Sequence, residues 1–119
     1  MDRQNFGITF EPANLLACGD DCGPGALRRL APNIVNFYCQ NVCLDPNWAH
    51  TFNSRHADPT FLTYMAFDDA SGIPIAPLIE VLRQTGYTGW VSVHQPLRDG
   101  QTVEDAVDEA AGVFLPLVS

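Results

Sequence analysis

The sequence predicts an α/β fold in which parallel strands alternate with covering helices. Three observations carry this expectation. Short apolar runs, "FGITF", "IVNFYC" and "GWVSV", are separated by stretches of helical period, which is the pattern of βαβ units. The helical stretches bear start and stop signals at their ends. The 119 residues, 46% hydrophobic and 17% charged, suit one soluble globular domain over 1–119. A chain of this size buries roughly two-thirds of its unfolded surface.

The first strand is expected over 6–10, ending at Glu11-Pro12, because proline lacks a ladder donor and restricts the residue before it. A short helix follows over 23–31. Asp20 and Asp21 lie near its positive end, Pro24 in its first turn, and Leu27, Leu30 and Ala31 form its apolar stripe. Pro32 and Asn33 stop it. The second strand is expected over 34–39. Residues 44–72 are polar and aromatic without a sustained period, and they read as a long strand-to-helix loop, functional or disordered.

A helix over 75–85 follows from Leu78, Ile79, Val81 and Leu82, with Gly86 at its C-terminal cap. The third strand spans 89–93, where Trp90 reads as core filling. A last helix starts at Thr102, whose T-x-x-D pattern with Asp105 makes a capping box. Its stripe reads Val103, Ala106, Val107, Ala110 and Phe114. Arg28 and Arg29 read as a solvated helix face, and Asp68 and Asp69 as loop or cap residues.

The net charge of −8 disfavours nucleic acid and anionic membrane surfaces as partners. With no apolar stretch of spanning length and no signal-peptide core at the N-terminus, a cytoplasmic location is expected. Cys18, Cys22, Cys39 and Cys43 form two C-x-x-x-C pairs. A zinc module would predict this count, but Cys39 lies in a strand and reads as a small buried hydrophobe among reduced thiols.

Ligands of parallel sheets lie beyond the carboxyl ends of the strands. Period-two alternation gives those ends Thr9 and Glu11 on the first strand, Asn36, Tyr38 and Gln40 on the second, and Trp90, Ser92 and His94 on the third. A carboxylate, a phenol and an imidazole at matching ends suit a divalent metal, acid/base chemistry or the holding of hydroxyl groups. Tyr38, beside two amides, is open to two readings, a satisfied core phenol or a substrate contact.

The segments "FGITFEPANLLACGDD", "ALRRLAPNIVNFYCQNV" and "GIPIAPLIEVLRQTGYTGWVSVHQP" resemble the xylose isomerase-like TIM barrels, the sugar phosphate isomerase/epimerase superfamily. The likeness runs over nearly the whole chain and corresponds to the family's C-terminal three strand-helix units. It implies the C-terminal portion of a (β/α)8 barrel, incomplete as a stand-alone barrel, since eight strands take about 250 residues. The missing strands would come from the rest of the chain, a companion chain or a homo-oligomer.

The family binds a divalent metal at the carboxyl end of the barrel, with ligands from strands five to eight. Carried over by position, the sixth-strand Asp falls on Glu11 and the polar residue three further on falls on Asn14. The seventh-strand H-x-K-D pattern falls on Tyr38, Cys39, Gln40 and Asn41, and the eighth-strand Glu on His94. The usual histidine, lysine and aspartate are thus replaced. The resemblance implies Glu11 and His94 as catalytic groups and as ligands of any retained Zn, Mn or Mg ion. Asn14, Asn36, Tyr38, Gln40, Asn41 and Gln95 are the expected substrate-binding residues.

Two functions stand. One is a sugar or sugar phosphate isomerase/epimerase working by proton transfer next to a carbonyl. The other is a non-catalytic polyol-binding or interaction subunit of a split barrel that has lost its metal.

Overall fold

A computed structural model describes residues 4–45, 47, 50–52 and 59–119, the backbone alone at 50–52. The element order is β1 (Ile8–Phe10), α1 (Pro12–Ala17), α2 (Pro24–Leu30), a 3-10 turn (Ala31–Asn33), β2 (Ile34–Cys39), β3 (Val42–Leu44), β4 (His50–Phe52), β5 (Thr60–Tyr64), α3 (Ile75–Gln84), β6 (Trp90–Val93) and α4 (Val103–Val118).

Strands β1, β2 and β6 form one parallel sheet in the order β1-β2-β6. Its register sets Thr9, Asn36 and Trp90 in one row and Phe10, Phe37 and Val91 in the next. The helices cover the second of these faces. The rings of Phe10 and Phe37 stack at 5.9 Å, and Leu27 of α2 with Leu78, Ile79, Val81 and Leu82 of α3 completes the core. Helix α3 owes its place to that stripe, and Gly86, at φ +72°, closes it with the left-handed turn the sequence predicts.

The structure departs from the sequence reading at four places. Pro12 ends β1 as expected but also opens α1, where a proline at the first position costs no hydrogen bond. Positions 46, 48–49 and 53–58 of the 44–72 segment lie outside the described residues, and the rest of it is not without structure. It carries most of an antiparallel sheet, β3-β5-β4, paired Val42 with Tyr64 and His50 with Leu62. Strands of three to five residues are too short for their alternation to register as a period.

Trp90 is 80% exposed rather than core filling, because it lies on the face turned from the helices, and β6 has no neighbour on its outer edge among the described residues. Helix α4 is capped by Thr102 and Asp105 as predicted. Its buried stripe, however, is Phe114 with Ala110, Val113 and Leu117, while Val103 and Val107 are each 60% exposed. Apolar residues occupy both sides of this helix, so helical period alone cannot choose between the two stripes.

Cys39 is buried, as expected of a small hydrophobe, and burial pushes its thiol well up. No described helix is long and apolar enough to cross a membrane.

Candidate functional site

The carboxyl ends of the three parallel strands bring Glu11, Asn14, Tyr38, Gln40 and His94 together. Glu11 follows β1 directly and is the N-cap residue of α1, yet its side chain makes no cap hydrogen bond. The carboxylate turns to the sheet end instead. Oε2 accepts from Asn14 Nδ2 at 2.6 Å, one helical turn on, and Oε1 lies 3.5 Å from His94 Nδ1. Helix α1 is therefore what places Asn14 against Glu11. The Glu11 side chain is only 16% exposed, whereas that of His94 is 64% exposed.

His94 leaves β6 opposite the end of β2. Its Nδ1 lies 3.3 Å from Gln40 Nε2, and its ring sits 5.3 Å from that of Tyr38, tilted by 51°. The two neighbours of Nδ1 favour different proton states. Unprotonated, Nδ1 accepts from the Gln40 amide; protonated, it faces the Glu11 carboxylate as a cation or donor. The arrangement has a carboxylate that can accept a proton, an imidazole that can accept or donate one, and two amides that can hold hydroxyl groups.

The other expected site residues are placed differently. Asn36 lies one row deeper on the same sheet face, its Oδ1 accepting from Ser92 Oγ at 3.2 Å. Asn41 is fully buried, and its side chain is spent within the protein. Nδ2 donates to the carbonyls of Ala66 at 2.5 Å and Asp69 at 3.1 Å, and Oδ1 accepts from Ile73 N–H at 2.7 Å. Gln95 is likewise engaged, Oε1 with Asn41 N–H at 2.8 Å and Nε2 with Met65 carbonyl at 2.8 Å. Neither amide is turned toward Glu11 and His94, because β2 and β6 end here and their alternation no longer governs direction.

Behind this junction a half-buried ion pair that the sequence reading did not find ties α4 to the chain after β5. Arg98 Nη2 meets Glu109 Oε2 at 2.5 Å, Arg98 Nη1 donates to Met65 carbonyl at 3.3 Å, and Phe67 N–H donates to Glu109 Oε1 at 2.9 Å. Hydrogen bonding from Arg98 holds the Glu109 carboxyl below its ordinary range. Arg98 and Glu109 have no periodic relation, so no sequence signal joins them.

Glu11 and His94 remain the metal donors that the resemblance implies. Among the described residues no three His, Cys, Asp or Glu side chains gather closely enough to hold an ion. A resident zinc site takes three or four protein ligands, so Glu11 and His94 would not hold one by themselves.

No family model matches this sequence, and no curated protein matches it. Among solved structures, a xylose isomerase domain protein from Planctomyces limnophilus superimposes on 97% of this chain with a TM-score of 0.64 at 23% identity. The fold is xylose isomerase-like. The chain spans 38% of that protein's length, so the likeness concerns the fold of this portion.

Proposed function

We propose that the chain forms part of a sugar isomerase or epimerase-like barrel that moves a proton next to a carbonyl, with the site at the strand ends. The observation that supports this best is the mostly buried Glu11 carboxylate, 3.5 Å from His94 at matching ends of parallel strands. Glu11 would take the proton from the carbon beside the substrate carbonyl as the carbonyl oxygen gains a proton, giving an enediol. Return of a proton to the neighbouring carbon yields the other sugar, and return to the opposite face of the same carbon yields the epimer. His94 would carry the hydroxyl proton between the two oxygens. Asn14, Gln40 and Tyr38 would hold the hydroxyl groups, and further parallel strands, from a longer chain, a companion or other copies, would close the sheet.

Solvent deuterium entering the sugar beside its carbonyl, followed by NMR, tests this reading. The chain in its native assembly should exchange that proton with a panel of aldoses and ketoses, and Glu11→Gln or His94→Gln should slow exchange by about 100-fold or more. Exchange that persists in both variants would remove these residues from the chemistry. Saturable binding without exchange would favour the polyol-binding subunit.

A further inference from the structure

We propose that Asn41 and Gln95 are a positioning pair, which fixes the end of β6, and with it His94, against Tyr38 and Glu11. The proposal rests on reading His94 as the proton carrier. It begins with how the parallel ladder ends. His94 N–H donates to Cys39 carbonyl at 2.9 Å, a regular rung between β2 and β6. In a regular parallel ladder the next rung would run from Asn41 N–H to the His94 carbonyl.

It does not. Asn41 N–H donates instead to the side-chain oxygen of Gln95 at 2.8 Å, so an amide side chain stands in for the backbone at the last rung. Gln95 Nε2 then donates to Met65 carbonyl, and Met65 N–H donates to Asn41 carbonyl, both at 2.8 Å. Three residues from three segments thereby close a ring of hydrogen bonds. Pro96 follows at once and has no N–H to extend the strand.

The ring matters because, apart from Gln40 and Glu11 at Nδ1, the imidazole is held by its backbone. With its side chain 64% exposed, His94 is not fixed by close packing, and the Tyr38 ring forms one wall of its setting. Its direction follows from the backbone at 94–95, which Gln95 anchors. The far side of the ring is rigid too. Asn41 is clamped by Ala66, Asp69 and Ile73, and a Cβ on Gly72 would come within 2.0 Å of Asn41 Oδ1. The antiparallel sheet, which ends at Tyr64, is joined to His94 through Met65 by the same route.

Replacement of Gln95 by methionine keeps its length and removes both bonds. In the Gln95→Met chain, folded by circular dichroism, the nuclear Overhauser cross-peaks between the His94 and Tyr38 rings should be lost. Ile79→Val, a core truncation in α3, should keep them despite lower stability. Gly72→Ala, which presses on Asn41 from the other side, should weaken the same cross-peaks and decides the matter if Gln95→Met does not fold. Wild-type cross-peaks in a folded Gln95→Met chain, or in Gly72→Ala where that variant decides, would overturn the proposal. The readout needs no ligand, so it can fail while sugar exchange at His94 stands, and sugar exchange can fail while it holds.

Discussion

Gln40 and His94 face each other across the ends of β2 and β6, and one residue further on so do Asn41 and Gln95. The first pair opens to solvent and keeps hydrogen-bonding capacity unspent. The second closes in protein, with each polar atom of the Asn41 side chain committed. Polar residues one step apart thus separate into an open place and a place where the fold is held. The difference lies in what surrounds them: the open side of the parallel sheet for one pair, the chain segment 65–73 for the other.

The contrast breaks most visibly at Asn41. Asn41→Leu leaves the buried Ile73 N–H without its acceptor and the half-buried Asp69 carbonyl without its donor, while the Ala66 carbonyl keeps Asp69 N–H; each unmet group costs about 1–3 kcal/mol, so the loss should be about 3 kcal/mol in urea unfolding. Gly72→Ala should come next, at about 1–3 kcal/mol in the same measurement, because its methyl group meets the Asn41 amide in a packed interior.

Glu109→Gln should cost about 1–2 kcal/mol near neutral pH, since it weakens a half-buried charged contact. The sign with pH follows from the lowered carboxyl of Glu109. Its contribution is complete above the unfolded value, near 4.5, and fades as pH falls through the lower folded value. The urea midpoints of the wild-type and Glu109→Gln chains should therefore converge in acid. Least affected is His94→Ala, expected to change stability by no more than about 0.5 kcal/mol because the ring is largely exposed. A large loss there would erase the distinction between the two pairs.

Much of this was legible from residue order. The bounds of β2, the apolar face of α3, its Gly86 cap and the Thr102 capping box follow from local chemistry, and local chemistry survived into the fold. So did the meeting of Glu11 with His94, because strand parity and parallel direction suffice to place both at one end. Parity fails once a strand has ended, and Asn41 and Gln95 lie just past that point. Strands of three to five residues carry too little period to be legible, and the exposure of Trp90 depends on the sheet's open face, a tertiary property. Pro12 serves two elements, and only its strand-ending role shows in the residues before it.

The antiparallel sheet also bears on how the chain reaches this fold. Gln40 and His94 meet although 54 residues separate them, and a contact between such distant positions requires a large loop to close. Part of that loop is β3, β4 and β5, which pair with one another over shorter spans. Once they have paired, the free contour between β2 and β6 is shorter, and the entropy lost on docking β6 is smaller. The segment that interrupts the parallel sheet in sequence is thus a shortcut in its assembly.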